Sequence, residues 1–280
     1  GIAAGRKLFA SGACSPGDVD YLLFCTQSSD YFLPTTACLI QQRLGIPKAT
    51  GALDFNLGCS GFVYGLGMAK GLVESGQARG VLLITAETYS KHMHSQDKGV
   101  RTLFGDGATA TFIAGASADG MGNLGPFIYG TDGSGAEALI VPAGGMRRRD
   151  GGEHLSQGHP FPDRYLYMDG GAIFNFTLKV VPESLKALLD CAHLAMEDID
   201  LFIFHQANAF MLDFLQKKCN IPSDKFYLCM KQFGNTVSST IPIALHHAHQ
   251  EGRLRPGSKV VVVGFGVGLS WASALLEWAI

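Results

Sequence analysis

The sequence predicts an α/β fold that contains two copies of one structural unit. Residues 17–27 (GDVDYLLFCTQ) resemble residues 197–207 (EDIDLFIFHQA), and residues 79–87 (RGVLLITAE) resemble residues 259–267 (KVVVVGFGV). Both pairs are separated by the same offset of 180 residues. Each segment is a short apolar run, which is typical of a strand buried on both faces between layers of helices. A constant offset in separate pairs indicates two pseudo-symmetric halves.

Helices are predicted between these strands from the signals at their ends. In the first half, residues 36–44 and residues 60–75 are each followed by a glycine, a common stop signal for a helix. In the second half, residues 242–252 end in a glycine, and residues 181–195 are predicted to form a helix with Pro182 in its first turn. A further apolar strand closes each half, FGDGATATFIAG in the first and LSWASALLEWAI in the second.

The repeat divides the chain into three parts. Residues 1–115 form the first half, and residues 171–280 form the second half. Residues 116–170 are rich in glycine, proline, arginine and histidine, with PAGGMRRRDGGEHLSQGHPFPD as their irregular core. Because long irregular segments usually have a functional role, this region is expected to connect the halves and to supply loops of the active site.

The composition excludes several classes of function. The formal net charge is -2 and the basic residues are scattered, so no nucleic-acid partner is predicted. The seven cysteines are odd in number and lie mostly in apolar segments, which favours reduced thiols and a cytoplasmic protein over a disulfide framework. No cysteine pair has the spacing of zinc ligands, and His246, His247 and His249 have no cysteine nearby, so no metal is predicted.

The longest uncharged run, between Lys259 and Glu277, approaches the roughly 20 residues that a membrane helix needs. Its first part is the β-branched run VVVV, and its middle is the glycine-spaced segment GFGVGLS. These features favour two strands joined by a tight turn. The sequence therefore predicts no membrane segment.

Cys59 is the leading candidate for a catalytic residue. It lies where an apolar run ends in a Gly-Cys-Ser-Gly turn and a long helical pattern begins. At such a position the helix dipole and unpaired N–H groups favour the thiolate over the thiol. The segment FIFHQAN contains His205 and Asn208, and the segment QFGNTVSST contains Asn235. Together these residues suggest a Cys/His/Asn set for covalent acyl chemistry.

Six motifs follow one another along the chain: DFNLGCSGFVYGL, LFGDGATATF, MDGGAIFNF, HQANAF, FGNTVSST and GFGVGLSWASALLEW. This set resembles the thiolase superfamily, and specifically beta-ketoacyl-acyl carrier protein synthase III (3-oxoacyl-ACP synthase III) and its close relatives. The resemblance implies a thiolase-like, five-layered αβαβα fold with duplicated halves, which agrees with the repeat. It also implies that Cys59 accepts the acyl group and that His205 and Asn235 complete the active site.

The reaction that the resemblance implies is a decarboxylative Claisen condensation, in fatty acid biosynthesis or in specialised lipid or polyketide biosynthesis. An acyl thioester would transfer its acyl group to Cys59, with the backbone N–H groups of Cys59 and Val267 as the oxyanion hole. A malonyl thioester would then lose carbon dioxide, and His205 and Asn235 would stabilise the resulting enolate. The expected substrates are acyl-coenzyme A and malonyl-ACP or malonyl-coenzyme A, and no cofactor is expected.

The resemblance also implies which residues contact the substrates. Five are expected to line the site: Leu103, Phe104, Met168, Asn208 and Phe265. Leu33 is expected to reach across a homodimer interface. Phe210 stands where many family members carry an arginine for the acidic carrier protein, so the carrier, if it is a partner, would dock through other basic residues. This departure favours a specialised relative.

Alternative functions stay open at this stage. An acyltransferase of the same fold would pass the acyl group from Cys59 to a hydroxyl, an amine or water without decarboxylation, and release of carbon dioxide separates it from a condensing enzyme. A non-catalytic pairing subunit would not need Cys59, His205 and Asn235 together. A papain-like hydrolase uses the same residue types, but the CSGF context and the duplicated strands do not fit it.

The first strand of the family that this chain resembles, with the loop after it, has no counterpart in residues 1–280. We expect that strand to be central in the first sheet, so that without it two buried edges are unpaired. Residues 1–280 alone are therefore expected not to be a stable protein, and an upstream segment is expected. Cooperative unfolding of a soluble protein that begins at Gly1 would contradict this expectation.

Overall fold

A computed structural model of the chain describes residues 1–115, 122–150 and 158–279. The strands in these residues are β1 (Tyr21–Cys25), β2 (Gly51–Phe55), β3 (Gly80–Glu87), β4 (Gly107–Ala114), β5 (Asn123–Thr131), β6 (Leu139–Ile140), β7 (Tyr167–Met168), β8 (Leu201–Phe204), β9 (Lys259–Gly266) and β10 (Ser270–Glu277). The α-helices are α1 (Ile2–Ala10), α2 (Thr36–Leu44), α3 (Gly61–Glu74), α4 (Lys98–Arg101), α5 (Gly170–Ala192), α6 (Ala209–Lys218), α7 (Met230–Phe233) and α8 (Thr240–Gln250).

The helices predicted at 36–44, 60–75 and 242–252 are confirmed as α2, α3 and α8, with ends that differ by two residues or fewer. The uncharged run near the C-terminus forms the antiparallel strands β9 and β10, as predicted. Within the described residues, no helix combines the length and the apolar character that crossing a bilayer requires.

Two sheets of four strands form the framework. The first has the order β2-β1-β3-β4, in which β1 runs parallel to β2 and β3, and β4 is antiparallel to β3. The second has the order β5-β10-β9-β8, in which only the pair of β8 and β9 is parallel. A separate pair of short strands, β6 and β7, brings Leu139 opposite Met168.

The internal repeat is confirmed by contacts that recur in the two halves. The Asp20 carboxylate accepts a hydrogen bond of 2.8 Å from the backbone N–H of Arg79, and the Asp200 carboxylate accepts one of 2.8 Å from Lys259. Each donor and each acceptor is displaced by 180 residues from its counterpart. The acidic residue before each buried strand therefore has the same task in both copies, which is to fix the start of the strand that runs beside it.

The layers follow the predicted thiolase-like αβαβα order. Helices α1 and α2 pack on the outer face of the first sheet, and α5, with α6 against it, packs on the second sheet. Helices α3 and α8 contact strands of both sheets and form the middle layer. Three clusters of buried apolar side chains fill the spaces between these layers. Strands β1 and β8 are apolar along their whole length because both of their faces are covered.

Helix α5 begins earlier than predicted, so the expectation of Pro182 in a first turn was wrong. Asp169 caps the helix by accepting from the N–H of Ala172 at 2.9 Å, and Pro182 lies inside the helix. An internal proline costs about 3 kcal/mol or more. Each fully buried aliphatic side chain contributes roughly 1.5–3 kcal/mol, so several of them outweigh that cost. The buried apolar side chains of α5 are Ile173, Val180, Val181, Leu185, Leu188 and Leu189.

Residues 116–170, the region predicted to connect the halves and to supply active-site loops, also contain a strand of the second sheet. Strand β5 pairs with β10 from Asn123 to Thr131 and is an integral part of the second sheet. Its strand pattern is obscured by Gly125, Pro126 and Gly130, which an edge strand tolerates better than a central one. Part of the predicted irregular core, residues 151–157, lies outside the described residues.

The expectation of a gap in the middle of the first sheet was wrong. Strand β1 pairs with β3 along its whole length, from Tyr21 opposite Val81 to Cys25 opposite Thr85. In the second sheet the first strand along the chain, β5, lies at the edge beside β10. The equivalent position in the first sheet is therefore beside β4, at an edge, and not between buried strands.

Buried hydroxyl pairs join the two halves near their shared surface. The Oγ atoms of Ser60 and Ser270 are 2.7 Å apart, and Oγ1 of Thr85 is 2.7 Å from Oγ of Ser239. In each pair one residue comes from the first half and the other from the second. Because buried polar groups need partners, these pairs fix the relative position of the turns that surround the cavity described below.

Phe202, on β8, provides a test of the apolar core between the second sheet and α5. It is fully buried. We expect Phe202→Ala to lower the free energy of unfolding by about 3–5 kcal/mol, because the substitution removes a buried ring and leaves a cavity. Denaturant unfolding followed by circular dichroism measures the change. The matched variant is Phe210→Ala, whose ring is 65% exposed, and it should lose less than about 1 kcal/mol. Equal losses in the two variants would contradict this assignment of the core.

Candidate active site

Cys59 lies in the turn between β2 and α3, at the surface where the two halves meet. The turn begins just after the last residue of β2, and Ser60 is the N-cap of α3. The Cys25 thiol, at the end of the neighbouring strand β1, donates to the carbonyl of Leu57 at 3.0 Å. Only 5% of Cys59 is exposed. The carboxyl ends of adjacent parallel strands therefore support the turn that presents this thiol.

The second half contacts the Cys59 turn through the backbone of two glycines, Gly264 and Gly266. A Cβ atom at Gly264 would lie 2.7 Å from Cα of Ser60, and one at Gly266 would lie 2.9 Å from Cβ and Sγ of Cys59. No side chain fits in either space without moving the backbone of one half. The glycines of this segment are thus required by the close approach of the two halves.

Burial raises the pKa of Cys59 to about 12, and the negative charge of Glu87 acts in the same direction. Hydrogen bonds from the backbone N–H groups of Val267 and of Cys59 itself oppose these effects without reversing them. The expectation that the helix start makes Cys59 a thiolate was therefore wrong, because removal from water dominates. Cys59 rests as a thiol, and its proton must be taken up by another group when it reacts.

His205 directly follows β8 and is almost completely buried. Its backbone N–H donates to the carbonyl of Val263 at 2.8 Å, and its Nδ1 is 2.7 Å from the hydroxyl oxygen of Thr240. Because Nδ1 is paired in this way, Nε2 is the nitrogen that remains for a substrate. Burial lowers the pKa of His205 to about 3, so the ring is neutral at neutral pH.

Asn235 is held by a short backbone pairing with the segment before β4. Its N–H donates to the carbonyl of Leu103 at 2.9 Å, and its carbonyl accepts from the N–H of Gly105 at 2.9 Å. The side-chain Oδ1 accepts from the N–H of Val237 at 2.9 Å. With Oδ1 occupied, the side chain has its Nδ2 donor for a substrate oxygen.

These three residues meet at one cavity of about 60 Å³. The lining is largely apolar, with Cys59, His205, Asn208 and Asn235 as its polar members. Asn208 also caps α6 by accepting from the N–H of Met211 at 2.8 Å. The lining residues are Cys59, Leu103, Phe104, Leu139, Met168, Gly170, Ile173, His205, Ala207, Asn208, Met211, Asn235, Phe265 and Gly266. The chain thus places a buried thiol, a neutral imidazole and an amide donor around a small apolar space.

Comparison with known families decides the relationship of the chain. Residues 53–133 match the model of the family described as 3-oxoacyl-[acyl-carrier-protein (ACP)] synthase III, and residues 189–278 match that of its C-terminal part. A curated beta-ketoacyl-[acyl-carrier-protein] synthase III of Caldanaerobacter subterraneus is 36% identical over 99% of this chain and 81% of its own length. The chain belongs to the 3-oxoacyl-ACP synthase III family. The family resemblance read from the sequence is thereby confirmed.

Solved structures agree with this assignment. A crystal structure described as 3-oxoacyl-(acyl-carrier-protein) synthase III has 51% sequence identity and a TM-score of 0.94, over 99% of this chain and 83% of that one. The 3-oxoacyl-(acyl-carrier protein) synthase of Burkholderia xenovorans has 36% identity and a TM-score of 0.91, over 99% and 78% of the two chains. The five-layered fold is therefore the fold of this synthase III family.

The site residues proposed from the sequence for this synthase III chain separate into two groups. Leu103, Phe104, Met168, Asn208 and Phe265 line the cavity together with Cys59, His205 and Asn235. Leu33 does not line it; its side chain is 82% exposed, beside the exposed Tyr31 and Phe32. Val267 lies next to the lining residue Gly266, and its backbone N–H is directed at the sulphur of Cys59.

Several lining residues were missed by sequence reasoning, and most have no local signal. Leu139 reaches the cavity because β6 pairs it with Met168, and Ile173 because α5 starts in front of the site. Met211 lies in the first turn of α6, three residues after the HQAN motif. An argument from that motif alone would have found Ala207, which belongs to it, and Met211, which is one helical turn from Asn208.

Phe210, at the position where the family resemblance led us to expect an arginine, belongs to an exposed aromatic group. Its ring centroid is 5.6 Å from that of Phe174 and 5.0 Å from that of Phe214. The surface beside α6 is thus apolar at the position where the family resemblance led us to expect an arginine.

No group of three or more His, Cys, Asp or Glu side chains suited to a metal ion occurs among the described residues.

Gly266→Ala tests the close approach between the halves. The added methyl would lie 2.9 Å from Sγ of Cys59, so we expect the turn to shift and alkylation of Cys59 by iodoacetamide to slow by roughly tenfold or more, about the effect of 1.4 kcal/mol on the barrier. Gly71→Ala in α3 is the control, because its Cβ would meet no atom within 4 Å. Peptide mapping of the alkylated protein measures both rates, and equal rates would contradict the packing described.

Proposed function

We propose that the chain is an acyltransferase that condenses an acyl group carried on Cys59 with a malonyl thioester, with loss of carbon dioxide. The reaction is that of a 3-oxoacyl-ACP synthase III in fatty acid biosynthesis. The observation that carries the proposal is the convergence of Cys59, His205 and Asn235 on one apolar cavity, although they come from three separate segments. A nucleophile alone suits many acyl transfers, whereas two further donors suit a second charged intermediate.

The first step is acylation of Cys59. Its sulphur attacks the acyl carbon of the thioester donor, and the donor's thiolate leaves. The oxygen of the tetrahedral intermediate becomes negative and is stabilised by the N–H groups of Cys59 and Val267. The thiol proton passes through Nε2 of His205 to the departing thiolate, because the neutral ring at that atom is able to accept it.

The second step is decarboxylation of the malonyl thioester. The bond between the carboxylate and the methylene carbon breaks, carbon dioxide leaves, and the electron pair forms an enolate. Between the steps His205 exchanges protons with solvent and becomes the neutral tautomer with its proton on Nε2, so that Nε2 of His205 and Nδ2 of Asn235 donate to the enolate oxygen. The carbanion then attacks the acyl carbon, forms the new carbon–carbon bond and expels the Cys59 thiolate, which takes up a proton from solvent.

Thr240 allows His205 to act in both steps. Nε2 is an acceptor only when Nδ1 carries the proton, and it is a donor when Nδ1 does not. The Thr240 hydroxyl is 2.7 Å from Nδ1 and 3.1 Å from the carbonyl of Val237. It accepts from Nδ1 while it donates to that carbonyl, or it rotates and donates to Nδ1. A hydroxyl partner therefore serves either neutral tautomer.

The proposed substrates are an acyl-coenzyme A donor and a malonyl group on coenzyme A or acyl carrier protein, in the cytoplasm. No cofactor is needed, because each step uses groups of the chain and the substrates. A homodimer is the proposed assembly, in which the exposed segment of Tyr31, Phe32 and Leu33 of one subunit reaches the site of the other. The loss of large exposed apolar area would favour this association.

Trapping the acyl-enzyme tests the proposed function. The protein is incubated with acyl-coenzyme A thioesters of graded length, its intact mass is measured, and malonyl-coenzyme A or malonyl-ACP is then added. We expect an adduct on Cys59 that disappears with release of carbon dioxide and a β-keto thioester, and no adduct with Cys59→Ala. Clearance of the adduct by a hydroxyl, an amine or water without carbon dioxide would contradict condensation and would support the transferase alternative.

Phe104→Ala tests the acyl cavity. Phe104 lines the cavity and packs against Tyr89 with 5.0 Å between the ring centroids, so its ring limits the available volume. We expect kcat/KM to increase for acyl groups longer by two to four carbons, by roughly tenfold per pair of carbons, and to change little for the shortest acyl group. Phe210→Ala is the control, since Phe210 is outside the lining. An unchanged chain-length profile would exclude Phe104 as the limiting wall.

A further inference from the structure

Glu87 is a buried carboxylate to which the reaction assigns no role. It is the last residue of β3, and only 3% of it is exposed. Its two oxygens accept from the N–H of Gln27 at 3.2 and 3.1 Å, from the hydroxyl of Ser28 at 3.0 Å and from that of Ser238 at 3.0 Å. All of these partners donate, which is the arrangement that an ionised carboxylate requires.

The partners of Glu87 connect it with both ends of the active site. A Cβ atom at Gly58, next to Cys59, would lie 2.7 Å from Oε1 of Gln27, so the Gln27 side chain lies against the Cys59 turn. Ser238 follows Val237, whose N–H holds Oδ1 of Asn235. Glu87 therefore links the turn that carries the nucleophile to the turn that carries the amide donor.

Burial raises the pKa of Glu87 to about 7, although the hydrogen bonds from Gln27, Ser28 and Ser238 act in the opposite direction. The charge of Glu87 in turn raises the pKa of Cys59. The other titratable groups that act on Glu87, or that it acts on, are Cys25, Tyr89 and Asp106.

Neither of the two reacting titratable groups changes charge near neutral pH. The pKa of Cys59 is raised to about 12 and that of His205 is lowered to about 3, in both cases chiefly by burial. Glu87, by contrast, has a pKa near neutrality. A change of rate near pH 7 therefore points to Glu87 before it points to the groups that contact substrate.

We propose that Glu87 is a positioning residue: its ionised form holds Gln27 and Ser238, and through them the Cys59 and Asn235 turns, in the arrangement that decarboxylation needs. The same charge disfavours the thiolate of Cys59, so the residue has opposite effects on the two steps. Protonation leaves one oxygen carrying a hydrogen that faces donors, so the hydroxyls of Ser28 and Ser238 must reorient. Malonyl decarboxylation then slows as the pH falls through about 7.

Glu87→Gln separates the two effects, because it removes the charge and keeps the size. Alkylation of Cys59 by iodoacetamide at pH 8 should accelerate, by about threefold for each unit by which the Cys59 pKa falls, since a tenfold gain in thiolate is partly offset by lower nucleophilicity. Decarboxylation of malonyl-coenzyme A should slow by roughly tenfold or more, and its decline near pH 7 should disappear. A residue with a merely structural role would not accelerate alkylation.

Three further variants complete the experiment. Glu87→Asp keeps the charge and should restore the wild-type alkylation rate. Asp54→Asn is the matched control. Asp54 lies on the edge strand β2, where its carboxylate accepts from the N–H groups of Thr36 and Ala37 at the start of α2. This variant should leave the pH profile unchanged. If Glu87→Gln does not fold, Ser238→Ala removes one link and keeps the charge, so it should slow decarboxylation while alkylation changes less than twofold.

Two results with Glu87→Gln would each overturn the proposal. One is alkylation that is unchanged or slower in folded Glu87→Gln; the other is a decline near pH 7 that persists in that variant. If only Ser238→Ala is obtained, unchanged decarboxylation overturns it. The decarboxylation measurement rests on the proposed function, whereas the alkylation measurement needs no substrate. Faster alkylation in a protein that shows no decarboxylation at any pH would therefore indicate that the proposed function, and not the effect of Glu87, is wrong.

Discussion

The backbone of the second half lies against the Cys59 turn with no side chain between them, and the active site depends on this contact. Gly264 and Gly266 have no room for a Cβ atom, so the turn after β9 reaches the nucleophile and brings the N–H of Val267 to its sulphur. Neither half alone contains the site. Cys59 comes from the first half, and His205 and Asn235 come from the second. The paired hydroxyls of Ser60 and Ser270 fix how the halves meet.

Burial makes the resting site neutral, and this neutrality has a chemical use. An isolated charge in an apolar cavity is costly, so the thiol keeps its proton and the imidazole does not take one. Charge then appears only when substrate is present, as an oxyanion or an enolate, and preorganised N–H donors already surround it. In the low-dielectric cavity these donors act more strongly than they would in water.

How far the sequence predicts this site depends on how local each signal is. Cys59, His205 and Asn235 each lie in a short motif at the end of a strand or beside a turn, so the motif and the repeat suffice to select them. Leu139 and Ile173 reach the cavity through strand pairing and through the entry angle of α5, which no local pattern encodes. The ionisation of Cys59 could not be predicted from the helix start because depth of burial, a tertiary property, decides it. The start of α5 was predicted wrongly for a similar reason. Packing of its buried apolar side chains outweighed the local preference of Pro182 for the first turn of a helix.

The two copies of the unit also show how one scaffold position has acquired different duties. Cys25 and His205 stand at the same place in the repeat, each at the end of its buried strand and 180 residues apart. In the first copy the thiol supports a turn, through its hydrogen bond to Leu57. In the second copy the imidazole faces the substrate cavity. With two copies of the unit, one strand end supports the fold while the equivalent strand end of the other copy carries a catalytic side chain. A protein with a single copy of the unit has only one such position for both purposes.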